Sequence, residues 1–90
     1  VPAEHVVLAQ NAPNPFNPQT EISFSLPRES GVQLKIYDVR GQLVTVLVDG
    51  VLGAGQHTAT WYANDAASGI YFYRLETPDF AETRKMIMLK

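Results

Sequence analysis

Apolar residues in this chain recur at period two, and nowhere at the three-and-four spacing of an amphipathic helix. Extended backbone sends successive side chains to opposite faces, so the alternation reads as strands with one buried side. Ile22, Phe24 and Leu26 fall on one face and Glu21, Ser23 and Ser25 on the other, before Pro27 and a polar turn through Ser30 and Gly31. Val32, Leu34 and Ile36 alternate with Gln33, Lys35 and Tyr37. Asp38-Val39-Arg40-Gly41 then supplies a tight turn whose glycine can take positive φ, returning the chain as a hairpin through residues 43 to 48. Asp49-Gly50 and Gly53-Ala54-Gly55 bracket a predicted loop, and the strand at residues 56 to 62 sets His57, Ala59 and Trp61 on one side. A turn-rich link from Asn64 to Gly69 leads to a strand over residues 70 to 77, and Pro78-Asp79 turns into a last strand over about residues 81 to 89. Short strands spaced about ten residues apart predict an all-β fold, an antiparallel sandwich of about seven strands with Trp61, Tyr73, Phe24, Leu34 and Ile36 in one core.

Regular structure is barred just before that first long strand. Pro13, Pro15 and Pro18 each lack an amide donor and fix φ, and Ala12, Asn14 and Asn17 before them are pushed to extended geometry. Phe16 is the one large apolar side chain among them. Residues 11–19 therefore read as a proline-rich strap anchored by Phe16, with residues 1–10 as linker and first strand of a single domain, 1–90. Gly69-Ile70-Tyr71-Phe72-Tyr73 narrows the sandwich to an Ig-like one, because it has the form of a tyrosine corner. Tyr71 is the corner, its hydroxyl expected to bond backbone in the preceding link. Tyr73, two residues on, is the deeper core residue, and Phe72 is left partly exposed.

Four sequence boxes also occur in a specific order. They are Pro13-Asn14-Pro15-Phe16-Asn17-Pro18; Ile36-Tyr37-Asp38-Val39-Arg40-Gly41; Ala54-Gly55-Gln56-His57 leading to Trp61; and Ser68-Gly69-Ile70-Tyr71-Phe72-Tyr73-Arg74-Leu75, followed by Thr83-Arg84-Lys85-Met86-Ile87-Met88-Leu89-Lys90. Over about Leu8 to Lys90 the chain resembles the type A C-terminal sorting domain of the type IX secretion system, a family related to the Ig-like domain of flagellar hook-capping proteins. The resemblance implies a non-catalytic domain at the end of a larger secreted protein of a Bacteroidetes-like bacterium. Its implied partner is the outer-membrane export machinery, with a catalytic domain of the same protein as a candidate upstream neighbour. It also implies passage through the periplasm to the cell surface or medium, where such a domain can be cleaved off to release the passenger or attach it to lipopolysaccharide. Candidate recognition residues on this reading are Pro13, Asn14, Pro15, Phe16, Asn17, Pro18, Asp38, Gly41, Lys85 and Lys90, with Trp61, Gly69, Tyr71 and Tyr73 as structural residues. The basic, apolar last segment could pair by strand addition or meet anionic surface groups.

Composition narrows the function further. A chain of 90 residues buries roughly 60–65% of its unfolded surface, enough for one thin core and little room for an enzyme cleft. A net charge of −2 argues against nucleic acid, which wants a basic face. Without cysteine there is neither disulfide nor thiolate chemistry, and no apolar run approaches the roughly 18 residues of a membrane-spanning helix. The start at Val1 reads as a module cut or processed from a longer protein. His5 and His57 lie far apart and without clustered carboxylates, so no metal is expected. Ser23, Ser25, Ser30 and Ser68 lack a nucleophile elbow, and Asp38, Asp49 and Asp65 fall in turn sequences. The glycines form no phosphate loop, and no cofactor is expected. Tyr37, Tyr62 and Phe72 are the surface aromatics that a carbohydrate-stacking platform would use. A structural or cell-attachment spacer and a carbohydrate-binding accessory module thus stand as alternatives to sorting.

Overall fold

The structure is a computed structural model that describes residues 5–64 and 66–89. Seven strands follow in order: β1 (Val7–Leu8), β2 (Gln19–Leu26), β3 (Ser30–Asp38), β4 (Leu43–Leu52), β5 (Gly55–Tyr62), β6 (Gly69–Thr77) and β7 (Phe80–Met88). They build a three-stranded sheet of order β1-β2-β5 and a four-stranded sheet of order β4-β3-β6-β7. Every neighbouring pair is antiparallel. With β4 extending the β3-β6-β7 sheet and a tyrosine corner at the start of β6, the arrangement is an Ig-like sandwich.

The alternation read from the sequence becomes the core. Ile22, Phe24 and Leu26 face Val32, Leu34, Ile36, Tyr73, Leu75, Met86 and Met88 across the two sheets, all buried. Each such side chain removed from water contributes about 1.5–3 kcal/mol. Trp61 closes the strap end of this core, 5.2 Å from the Tyr71 ring in an edge-on contact and 5.7 Å from Phe16. These separations fall within the range of favourable aromatic pairs.

One expected loop is absent. Asp49 and Gly50 lie within β4, opposite Gln33 and Val32, because β3 offers ladder partners down to Ser30. The connection to β5 therefore shrinks to Gly53 and Ala54. β4 also departs from strict alternation, since its register slips twice against β3: Leu34 faces Val48 and Lys35 faces Val46, then Ile36 faces Thr45 and Tyr37 faces Leu43. Leu47 and Val44 are the extra residues, and each bulge resets which side chains point inward.

Two tyrosine hydroxyls fix backbone outside the ladders. That of Tyr71 donates to the Ala67 carbonyl at 2.6 Å, the corner bond expected from the sequence. That of Tyr73 donates to the Ala9 carbonyl at 2.8 Å and accepts from the Asn11 amide at 2.9 Å, clamping the start of the strap onto β6. Burial raises the Tyr73 phenol above its ordinary 10.0, while the Asn11 amide and Arg84 act in the opposite direction.

Trp61→Ala should lower stability by roughly 3–5 kcal/mol in urea denaturation, the range for truncating a buried aromatic. In a domain held by about 5–15 kcal/mol that approaches unfolding. Tyr71→Phe should cost about 0.5–1.5 kcal/mol, one net hydrogen bond, and Tyr73→Phe about 1–3 kcal/mol because it strands a buried amide. The raised Tyr73 value also sets a pH dependence. In the unfolded chain the phenol ionises near its ordinary value, so its contribution is intact below about pH 10 and lost as the pH climbs through the higher folded value. Denaturation midpoints measured across that alkaline range should fall more steeply for the natural chain than for Tyr73→Phe.

Candidate recognition surface

Proline chemistry shapes the strap, and its polar residues then pin it to both sheets. Ala12 exchanges backbone bonds with Glu21 of β2, at 3.0 and 2.9 Å. Four residues later the chain has crossed to the other sheet. The Phe16 amide donates to the Ile87 carbonyl and the Leu89 amide to the Phe16 carbonyl, each at 3.0 Å, while the Asn14 side-chain oxygen accepts the Ile87 amide at 3.0 Å. Phe16 drops its ring into the core, whereas Pro13, Asn14, Pro15 and Asn17 are exposed and Pro18 is half-buried.

Beneath the strap lies a small buried polar cluster. Asn11 is 3% exposed and Thr20 is fully buried. The Asn11 side-chain nitrogen donates to the Pro13 carbonyl and to the Thr20 hydroxyl, and the Thr20 hydroxyl donates to the same carbonyl. Gln10 donates to the Asn11 side-chain oxygen at 2.7 Å and to the Lys85 carbonyl at 2.9 Å. Every polar group there finds a partner, as burial requires. Sequence reasoning missed Gln10, Asn11 and Thr20. One signal was present: Thr20 shares the inward parity of Ile22, Phe24 and Leu26, and an inward hydroxyl calls for a buried acceptor.

Those expected recognition residues that the structure describes gather at one end of the sandwich. Asp38 faces Tyr71, and Tyr71 faces Met86, so the turn after β3 and the end of β7 share a level on the four-stranded sheet. At about 4.8 Å per strand the strap sits about 14 Å across from β3. In the turn, one Asp38 carboxylate oxygen accepts the Arg40 and Gln42 amides at 2.9 Å each, and Gly41 takes the positive φ of 84° that the bend needs. Asp38 is thereby committed to its own turn. Lys85 is exposed on β7, and Lys90 lies outside the described residues, as does Asp65. Among the structural residues, Trp61, Tyr71 and Tyr73 are buried, and Gly69 takes φ 148° where the link enters β6.

Two expectations change with the geometry. Strand addition at the end of β7 is closed, because the strap already occupies the outward amide and carbonyl of Ile87 and the amide of Leu89. The three surface aromatics also form no single platform. Tyr37 and Phe72 face each other on the outer side of the four-stranded sheet, whereas Tyr62 pairs with Gln19 in the other sheet.

Two surface depressions lie at opposite ends of the sandwich. One of about 390 Å³ is lined by Gln33, Asp49 and Glu76 with Gly31 and Gly50, towards the far end. One of about 180 Å³ is lined by Val44, Trp61, Tyr62, Ala63 and Ala66. Among the described residues no three of His, Cys, Asp and Glu come together to hold a metal. His57 stacks on Phe24 and its Nε2 lies 2.8 Å from the Gly53 carbonyl. Arg84 Nε is buried 2.8 Å from Glu82 Oε2, off line for a hydrogen bond, so this pair is held by charge alone.

Residues 12–89, from the strap to the end of β7, match the family model for the secretion system C-terminal sorting domain. No curated protein matches the chain. Among solved structures, PorZ, an essential surface component of the type IX secretion system of Porphyromonas gingivalis, shares the fold with a TM-score of 0.65 at 22% identity. The match takes in 90% of this chain and 11% of that PorZ chain, so the likeness is to a small part of a much longer protein. With the family model spanning strap, sandwich and last strand alike, the chain belongs to the secretion system C-terminal sorting domain family.

Proposed function

We propose that residues 1–90 act as a non-catalytic module that the type IX outer-membrane machinery recognises in its folded state, at the end of the sandwich where strap and β7 meet. The observation that carries this reading is the knitting of Asn14 and Phe16 to Ile87 and Leu89, which makes one rigid surface of two segments far apart in sequence. Pro13, Asn14, Pro15 and Asn17 stand exposed on it, with Lys85 beside them. Recognition of such a surface would require the sandwich to be folded first, since an unfolded chain does not bring the two segments together. A passenger so marked, including a catalytic domain upstream, would cross the periplasm and reach the surface or the medium.

The test is a fluorescent reporter fused ahead of residues 1–90 in a bacterium with a type IX apparatus. The natural chain should deliver the reporter outside the cell. Lys85→Glu combined with Lys90→Glu should leave stability within about 0.5 kcal/mol, as replacing an exposed side chain such as that of Lys85 usually does. Export should nevertheless fall. Undiminished export by the folded double variant would remove the two lysines from the recognition surface, and retention of the natural fusion would refute the sorting role of this segment.

A further inference from the structure

Facing away from the core, the four-stranded sheet carries a second feature that the strap does not explain. Its outer rows can be read from the register. Leu43, Tyr37, Phe72 and Lys85 lie side by side across β4, β3, β6 and β7, and Ile70 pairs with Ile87 in the next row towards the strap. Leu43 is 54% exposed and Ile70 41%, while Tyr37, Phe72 and Ile87 are half-buried. The result is a continuous apolar and aromatic patch on a water-facing sheet, a kind of surface that monomeric proteins rarely leave uncovered.

Charge limits what can cover it. On the side away from the strap the next rows hold a self-contained network: Lys35 lies 3.5 Å from Glu76, and Arg74 lies 3.4 Å from the same carboxylate. Arg28 and Arg84 are likewise matched, to Asp79 and Glu82. The side chains of Arg40 and Lys85 are different, meeting no carboxylate among the described residues. Both stand at the patch. Lys85 ends the aromatic row beside Phe72, and Arg40 is in the turn just beyond Tyr37 and Leu43. Asp38, the carboxylate closest in sequence, accepts two backbone amides of its own turn. An apolar centre, aromatic side chains and two unmatched cations at the rim are the composition of a protein-docking site. A bilayer is a poorer fit, since Tyr37, Phe72 and Ile87 are half-buried and expose too little of themselves to enter acyl chains.

We infer that this outer face, centred on Tyr37 and Phe72, docks a protein that presents apolar side chains flanked by carboxylates placed for Arg40 and Lys85. The inference rests on the export reading above and gives it a second contact, on a broad face adjoining the strap. The occupant is then a protein of the export route rather than lipid.

The experiment places a photoreactive phenylalanine analogue at Leu43 or Ile70 in the exported reporter fusion, with Thr58, exposed on the opposite sheet, as control. Illumination during export should join the first two positions, and not the third, to an outer-membrane protein. Arg40→Glu with Lys85→Glu should cut that yield about tenfold, as loss of complementary interface charges does. Tyr37→Thr with Phe72→Thr, checked for folding by thermal unfolding, should lower export by about tenfold or more, the effect of removing central aromatic contacts. Adducts only to lipid, equal adducts from Thr58, no adducts while the fusion is exported, or undiminished export by the folded aromatic variant would each overturn the docking face. A natural fusion that is not exported at all would refute the sorting role, and the docking face with it.

Discussion

Phe16 is the side chain on which the closure of this sandwich depends. β1 has two residues and pairs with only the far half of β2, so the three-stranded sheet does not cover its four-stranded partner at the strap end. Trp61 and Tyr71 would face water there. Phe16 packs against Trp61, which in turn meets Tyr71, and Phe16 is itself 2% exposed. Holding one aromatic ring over the open side of a core is a task for a stiff segment, because a flexible one would lose more entropy on docking than the ring returns. Prolines on both sides of Phe16 supply that stiffness in advance.

The strap is thereby structural as well as exposed, and the two properties fall on different atoms. Its ring and its backbone bonds face the protein, through Phe16, Asn11, Thr20 and the Tyr73 hydroxyl. Pro13 and Pro15 are exposed, and proline without an amide donor offers a surface that does not compete for the ladder bonds beside it. A chain with no cysteine has no covalent means of tying its first residues to its last. Here hydrogen bonds between strap and β7, and one aromatic cluster, perform that closure.

Much of this was legible in the residues themselves. Alternation placed the buried faces of β2, β3, β5 and β6, since a period of two leaves one choice of face once a single large apolar residue is assigned inward. Gly69 and Tyr71 announced the corner, because the motif is local and its spacing is set by the bend. What stayed hidden depends on residues distant in sequence. Asp49-Gly50 reads as a turn until β3 is known to run alongside it. The bulges at Val44 and Leu47 have no local signature, as they arise from how two strands twist together. Tyr73 reads as a core residue, but the partners of its hydroxyl, Ala9 and Asn11, come from the other end of the chain. The grouping of strap, turn and last strand at one end likewise required the strand order.

That strand order also gives the molecule two poles along its 38 Å axis. Val7 pairs with Ser25, and Val6 lies beside Pro27 and Phe80, so the chain comes in among the turns at one pole. The strap, the Asp38 turn and the end of β7 crown the other. On the proposed reading, a passenger joined ahead of the sandwich would hang like luggage from a tag, its attachment and its label at opposite extremes. Its bulk would stay clear of the labelled pole, and a large cargo and a small one would present the same face to whatever reads it.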